Sequence, residues 1–237
     1  MNRSAIFAVR NSKSTYNIVH KNANIKTPMN NVLSLPNETL ALALANEWRS
    51  NADKKKIDIK SMHLTTLAYK AIDNPFKETK ETLVESILEY LRFDTLRFRD
   101  VENKELLHRQ SRHWDPVIGW FEHKYECHVP IDYGDIVSGS AIPKSTETTV
   151  LRYLNSHGTW PLIGARFMAE NLKSYILTSC LTERFLKADQ AVELARLETR
   201  FQAEKWSKVE WEHDLDEQIT NARVAAGCLF YHLSLQS

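Results

Sequence analysis

The spacing of apolar residues changes near residue 36, from alternation to a helical period. Before that point, YNIVHKNANIKTP alternates in short runs around residues 22–24, which predicts a β-hairpin, and NVLSLP predicts another extended piece. The stretch PNETLALALANEWRS then carries Leu40, Leu44 and Trp48 at intervals of four residues. This period, after the Pro-Asn step that opens the stretch, predicts an amphipathic helix.

Almost everything after residue 60 has a helical pattern. TKETLVESILEYL places Leu83, Ile87 and Leu91 on one stripe, and the final stretch DLDEQITNARVAAGCLFYHL repeats apolar residues every three to four positions. The face that we expect to be buried in this last helix comprises Leu215, Ile219, Ala222, Ala226, Leu229 and Leu233. The pattern predicts an α+β protein, with a small β-rich N-terminal domain over residues 1–60 and a larger all-helical C-terminal domain over residues 61–237.

The stretch WDPVIGWFEHKY has the features of a helix start. Asp115 suits the N-cap, and Pro116 suits the first helical position, where a missing N–H costs nothing. The following stretch VPIDYGDIVSGSAIPKST is rich in Gly and Pro and predicts an exposed loop. Because large aromatic side chains are mostly buried, we expect a structural role for five of the six tryptophans. These are Trp48, Trp114, Trp120, Trp206 and Trp211.

Composition excludes several classes of protein. The 31 basic and 30 acidic side chains nearly cancel, which argues against a nucleic-acid partner. No apolar run approaches the roughly 20 residues of a membrane span, so membrane insertion is not expected. The three cysteines are far apart, which argues against a disulfide framework or a zinc knuckle.

The N-terminal segment is basic. Five cations precede Glu38, the first acidic residue, and they lie among serines and asparagines; they are Arg3, Arg10, Lys13, Lys21 and Lys26. This bias is typical of an organelle transit sequence. Because the chain looks folded from Tyr16 onward, only about the first 12 residues could be a targeting remnant or disordered, and an ordinary basic surface explains the bias equally well.

The search for catalytic motifs finds no phosphate-binding glycine loop and no nucleophile motif. Two Glu-x-x-His steps, Glu105/His108 and Glu210/His213, leave open a carboxylate-bridged di-iron bundle, for which Glu81 and Glu183 could supply the bridging carboxylates. Such steps arise readily by chance in a chain this rich in Glu and His. We therefore expect no cofactor and no metal, and this metalloprotein is the alternative hypothesis.

Five separate stretches resemble one family: LSLPNETLALALANEW, MHLTTLAYKAIDNP, DTLRFR, QSRHWDPVIGWFEHKY and ARLETRFQAEKWSKVEWEHDLDEQITNARVAAGCLFYHL. They are similar, in order from about Thr27 to Leu233, to the ATP-twelve family of assembly chaperones. The chain departs from the family pattern at three places. Arg97-Phe98 stand where a Cys-Tyr pair is common, Arg49 stands where an acidic residue is common, and Glu126 replaces a glycine.

The resemblance implies a non-catalytic chaperone in the mitochondrial matrix that binds the unassembled alpha subunit of the ATP synthase head. The glutamate that is functional in the family corresponds to Glu198, which a single continuous helix would place beside Leu194, Leu197 and Phe201. An ion pair with Arg184, Arg196 or Arg200 is the structural alternative for Glu198. The acidic run of Glu210, Glu212 and Asp214 either contacts the partner or is a solvated helix start.

Overall fold

A computed structural model of the chain describes residues 6–11, 14–52, 58–134, 140–205 and 210–235, without the side chains of residues 210–214. The strands are β1 Ile6–Arg10, β2 Tyr16–His20, β3 Ala23–Asn24, β4 Ser34–Leu35, β5 Phe98–Arg99 and β6 Asp132–Tyr133. The helices are α1 Glu38–Asn51, α2 His63–Asp73, α3 Lys80–Arg92, α4 Lys104–Tyr125, α5 Lys144–Asn155, α6 Thr159–Leu172, α7 Tyr175–Thr182, α8 Ala188–Ala195, α9 Leu197–Lys205 and α10 Glu210–Ser234. Strands β1 to β4 precede the first helix, and helices make up most of the rest of the described chain, which confirms the predicted α+β class.

The N-terminal sheet is antiparallel, with β1 on one side of β2 and both β3 and β4 on the other side. Lys21 and Asn22 join β2 to β3 with φ angles of 49° and 63°, as a tight hairpin turn requires, so the predicted hairpin is confirmed. Ile6 is buried, and β1 pairs with β2 along its whole length. Residues 6–10, which the sequence left open as a targeting remnant, therefore belong to the sheet.

Helix α1 forms as its pattern predicts. The side chain of Asn37 accepts a hydrogen bond from the backbone N–H of Leu40 at 2.9 Å and caps the helix. Leu40, Leu44 and Trp48 are all buried against the sheet and α2. Helix α3 likewise buries its predicted stripe. None of the described helices is long and apolar enough to cross a membrane.

Two apolar clusters form the core, and helices α6 and α10 contribute to both. Leu162 and Val224 belong to the cluster of the helical part, whereas Ile163 and Phe230 belong to the cluster beneath the sheet. The sheet cluster also includes residues of α2 and Leu83 of α3, so its core extends past residue 60. The division of the chain into domains at residue 60 stays a prediction.

Helix α4 does not begin at Asp115, and this expectation was wrong. The helix runs from Lys104 to Tyr125 with its cap at Asn103, and Pro116 lies in its interior. The buried stripe of the helix continues on both sides of Pro116, and Trp114 at its centre is completely buried. Pro116 itself lies on the exposed side, where water can satisfy the carbonyl that its missing N–H leaves unpaired.

The predicted buried face of α10 is also wrong over much of its length. Leu215 is 60% exposed, Ile219 is 38% exposed and Leu229 is 46% exposed. The helix instead turns Gly227 toward α6, where an added Cβ would lie 2.8 Å from Cγ of Met168. This close approach sets which side of α10 is buried, and it turns the row that contains Leu215, Ile219 and Leu229 toward solvent.

The stretch after α4 is irregular, as expected, but it is not exposed throughout. Val129 and Ile142 are buried in the core of the helical part. Between them, β6 pairs with β5 in parallel. Gly and Pro residues indicate irregular backbone but not exposure, because the apolar residues between them can still be buried.

Candidate partner-binding surface

Glu198 lies in the first turn of α9, where α9 packs against α4. Its Oε1 accepts a hydrogen bond from Nε2 of Gln110 at 2.6 Å. Gln110 is completely buried, and its own Oε1 accepts from the backbone N–H of Asp100 at 3.0 Å, which fixes the orientation of its amide. The described polar partner of Glu198 is therefore an amide on another helix and not a neighbouring arginine.

The surroundings of Glu198 change its acidity. Burial raises the pKa of the carboxyl above its usual value, while the hydrogen bond from Gln110 acts in the opposite direction. Asp100 raises this pKa further and Arg99 lowers it. The guanidinium of Arg99 is buried over the ring of Trp114 and pairs with Asp115 at 2.7 Å. Glu198 thus lies at a half-buried polar junction.

Two of the three arginines proposed as ion-pair partners of Glu198 pair with other carboxylates, and no ion pair joins Arg184 to Glu198 among the described residues. Arg196 pairs with Asp216, and Arg200 pairs with Glu193 at 2.8 Å and with Glu217 at 2.5 Å. These ion pairs connect α8 and α9 to α10. Helix α8 ends before Arg196 and α9 starts at residue 197, so the single helix assumed from the sequence is wrong.

A cleft of about 370 Å³ lies between α4, α8 and α9, next to Glu198. Its apolar lining comes from Leu186, Leu194 and Leu197. The remaining lining residues are polar or charged: Arg109, His113, Gln190, Glu193, Arg200 and Glu204. Arg109 donates to Glu204 at 2.7 Å across the cleft, so charges at the rim already compensate one another. An apolar floor with a polar rim is the usual layout of a protein-binding site.

Exposed apolar side chains extend this surface. Phe185, next to Leu186, is 46% exposed and stacks on Trp120 with ring centroids 4.5 Å apart. On α10, Leu215 and Ile219 are exposed close to Asp216 and Glu217, which bind the arginines of α8 and α9. The region around the cleft therefore carries more apolar surface than its sequence pattern indicates.

The other residues singled out in the sequence lie in different places. The side chains of Glu210, Glu212 and Asp214 lie outside the described part of the chain, as do Trp206 and Trp211. Trp48 and Trp114 are buried in the two separate apolar clusters, and Trp120 is half-buried. Asp115 holds Arg99 and is not a helix cap.

The di-iron alternative finds no support in the side chains that the structure describes. Glu105 pairs with Arg109 and Lys205, and Glu183 pairs with Lys124 and accepts from the hydroxyl of Tyr153. Among the described residues, no three His, Cys, Asp or Glu side chains come together as a metal site would require. The side chains of Glu210 and His213 lie outside this comparison.

Sequence reasoning missed Gln110 and Arg99, which build the environment of Glu198. Gln110 interrupts the apolar stripe between Leu106 and Trp114, and a lone amide on a buried stripe is the signal that could have identified it. Arg99 gave no local signal, because it lies in a two-residue strand. Its burial depends on the packing of Trp114 and on Asp115.

Comparison with known proteins defines the class. A family model described as ATP12 chaperone protein matches residues 5–122. The protein atp12, mitochondrial, of Schizosaccharomyces pombe is 27% identical over 216 residues, which cover 87% of this chain and 73% of that protein. ATP12, mitochondrial, of Saccharomyces cerevisiae is 27% identical over 239 residues, which cover 84% and 73%.

A solved structure has the same fold as this chain. The crystal structure of Atp12 from Paracoccus denitrificans superimposes with a TM-score of 0.86 at 24% identity, covering 98% of this chain and 97% of that chain. The class itself follows from the family match: the protein is a chaperone. The chain belongs to the ATP12 chaperone family, and the resemblance read from its sequence is confirmed.

Proposed function

We propose that the protein is an assembly chaperone for the catalytic head of ATP synthase, which binds the unassembled alpha subunit and shields its inter-subunit surface until the beta subunit replaces it. Membership of the ATP12 chaperone family carries this proposal. The relatives are named as mitochondrial proteins, which supports a mitochondrial location, and we propose the matrix as the compartment in which this chain acts. The proposed role requires binding and release but no catalysis.

The exposed interface of the client, the unassembled alpha subunit, explains why such a chaperone is needed. An obligate interface typically buries about 2,000 Å² or more of relatively apolar surface, and this surface aggregates when it is exposed. A chaperone of moderate affinity, about 8 kcal/mol for a micromolar complex, covers the client and still yields to the larger native interface.

We propose that the client docks on the cleft between α4, α8 and α9 and on the exposed apolar residues beside it. Leu194 and Leu197 supply an apolar floor, and Phe185 extends it outward. The half-buried Glu198 holds α9 against α4 through Gln110 and so keeps the cleft in shape. We propose that Glu210, Glu212 and Asp214, which follow α9 in sequence, contact the client at the same end of the molecule.

Suppression of alpha-subunit aggregation tests both parts of this proposal. The parent protein should bind purified alpha subunit and not beta subunit. Phe185→Ser should weaken binding of the alpha subunit by about tenfold, because a large exposed aromatic contact is lost. Phe76→Ser is the matched control, since Phe76 is 85% exposed between α2 and α3 and away from the cleft.

Two outcomes separate the function from the surface. A parent protein that fails to retain alpha subunit in preference to beta would overturn the proposed client. If the affinity for the alpha subunit falls equally in the Phe185 and Phe76 variants, or falls in neither, the alpha subunit remains the proposed client. The cleft is then excluded as its docking surface. The melting temperature of the Phe76 variant should match that of the parent, whereas Phe185→Ser should melt slightly lower because it loses the stack on Trp120, so binding is compared at a temperature where all three proteins are folded.

A further inference from the structure

We propose that the open edge of strand β1 is a second docking site, which takes an extended, acidic polypeptide segment by strand addition. The site lies on the N-terminal sheet and shares no residue with the cleft of α4, α8 and α9. This second site therefore goes beyond the proposed function, and the two proposals can be tested independently.

The pairing register shows which backbone groups face outward. Asn11 N–H donates to the carbonyl of Thr15 at 2.8 Å, one step beyond the last pair of β1 and β2, Arg10 with Tyr16. Because hydrogen-bonded pairs alternate along an antiparallel ladder, Phe7 and Val9 bond to β2. The backbone N–H and C=O groups of the intervening residues must point away from β2.

Two independent contacts agree with this assignment. The carbonyl of Ile6, which should face outward, accepts from Nε of Arg49 at 2.7 Å. On β2, the partner of Ala8 is Ile18, whose N–H and C=O bond to Leu33 and Ile25 on the opposite side. The outward N–H and C=O groups of Ala8 form a free edge, because no described residue bonds to them.

This edge lacks the usual protection against strand pairing. Natural edge strands are blunted by proline, by a bulge or by charges within the strand. Strand β1 reads IFAVR, without proline or bulge, and its charge is confined to Arg10 at the end. Because Arg49 occupies the outward carbonyl of Ile6, the groups left for a partner strand are those of Ala8 and Arg10, and a strand pairing from Ala8 onward would run past Arg10.

Apolar side chains lie on both sides of the edge. Phe7 is 37% exposed and Val9 is 42% exposed on the face of the sheet that is turned away from α1. On the other side, Leu42 of α1 is 47% exposed and precedes Arg49 by seven residues, or about two helical turns, so the two share one side of the helix. Arg49 contacts the edge at Ile6, which puts this side of α1 beside β1. An added strand would meet apolar contacts above and below.

The positive charge of the N-terminal sheet favours the binding of an acidic segment. No Asp or Glu precedes Glu38, whereas Arg10, Lys21 and Lys26 are exposed on the described sheet. Arg49 is exposed at the edge and forms no ion pair with a described residue. Arg49 and Arg10 together make this edge of the sheet positive. Carboxylates on alternate positions of the added strand would pair with Arg10 and Arg49.

The test uses the full chain and a labelled peptide of about seven residues that alternates glutamate and valine, with a peptide carrying lysine in place of glutamate as its control. Fluorescence anisotropy should show that the glutamate peptide binds and that the lysine peptide binds at least about tenfold more weakly. Arg49→Glu should reverse this preference. Equal binding of the two peptides to the parent chain would overturn the proposal.

Ala8→Pro tests the edge itself. Proline is tolerated where an N–H faces away from the ladder, so this variant should keep the melting temperature of the parent and lose about tenfold in affinity for the glutamate peptide. Amide hydrogen exchange on the parent chain gives a readout that does not depend on any variant. Exchange at Ala8 should slow when the glutamate peptide is bound, while exchange at Ile18 should not change.

The outcomes are separable from those of the proposed function. Bound peptide without slower exchange at Ala8, or an Ala8→Pro chain that folds and binds as the parent does, would exclude strand addition. Neither result bears on the cleft, which the Phe185 and Phe76 variants test with the alpha subunit.

Discussion

Glu198 is held by a hydrogen bond across two helices, and this changes what its substitution should do. The Nε2 of Gln110 is buried and donates to Glu198, so any replacement without an acceptor leaves a buried donor unpaired. A lysine would add a second cost, because its charge would approach the buried Arg99. Glu198 therefore has a structural role whatever its part in client binding.

We predict that Glu198→Lys lowers the free energy of unfolding by about 1–3 kcal/mol, the cost of an unsatisfied buried donor. Glu198→Gln keeps an acceptor oxygen and should be at least as stable as the parent at neutral pH. Thermal melting of the three proteins gives the order. A Lys variant that melts with the parent would show that Gln110 finds another partner.

The same residue gives a pH dependence with a definite sign. Burial raises the folded-state pKa of Glu198, so the folded chain binds its proton more tightly than the unfolded chain does. Its contribution to stability is present below the unfolded pKa and is lost as pH rises through the folded pKa. The advantage of Glu198→Gln in melting temperature should therefore be larger at about pH 7 than at about pH 4. An advantage that is the same at both values would contradict the shifted pKa.

Glu126 occupies a backbone conformation that suits glycine. It ends α4 with φ of 48°, in the left-handed region, and the glycine that the family resemblance implies at this position would adopt this conformation without strain. We predict that Glu126→Gly raises stability by about 0.5–1 kcal/mol, after the larger entropy of glycine in the unfolded chain is deducted. Ala52→Gly is the control, because Ala52 ends α1 with φ of −64° and should lose stability. A stabilised Ala52→Gly or a destabilised Glu126→Gly would rule out this explanation.

At the scale of elements, α4 shows how packing overrides a local signal. Asp115-Pro116 has the sequence of a helix start, yet the helix begins at residue 104 because its apolar stripe continues through both segments. Proline in a helix interior removes one backbone hydrogen bond and crowds the preceding turn. The stripe from Leu106 to Tyr125 outweighs that cost.

We predict that Pro116→Ala raises the free energy of unfolding by about 1–2 kcal/mol, less than the full cost of an interior proline because the unfolded chain also gains freedom. Pro161→Ala is the matched control. Pro161 lies in the first turn of α6, where no hydrogen bond can be gained, and it is buried, so its replacement should not stabilise. Urea unfolding measures both. A neutral Pro116→Ala would contradict a strained interior position.

At the scale of the whole molecule, α6 and α10 unite the two apolar clusters. Gly164 of α6 lies so close to α10 that an added Cβ would be 3.0 Å from the backbone N of Tyr231. We predict that Gly164→Ala lowers stability by about 1–2 kcal/mol, since overpacking outweighs the better helix propensity of alanine. Gly119→Ala in α4 has open space and should gain up to about 1 kcal/mol.

Because α6 contributes to both clusters, Gly164→Ala should shift the unfolding of the whole chain in one transition. Fluorescence and far-ultraviolet circular dichroism should report the same midpoint. Two separate transitions would instead support independent domains divided near residue 60.

The sequence by itself determined the elements whose signals lie within a few residues of one another. Asn37 caps α1 because its side chain reaches a backbone N–H three residues away, and Lys21-Asn22 form a two-residue turn. The apolar stripes of α1 and α3 are buried because their period matches that of the helix. The five family stretches also identified the class of protein.

Only the tertiary structure decided what depends on contacts between distant parts of the chain. Glu198 and Gln110 are 88 residues apart, and the local sequence around either residue does not indicate that the two are in contact. The exposed face of α10 follows from the close packing of Gly227 on α6, and the register of the sheet leaves the outer edge of β1 without a strand partner in the described part of the chain. Local periodicity shows that a helix or strand has an apolar face, but the position of its neighbours decides which face becomes buried.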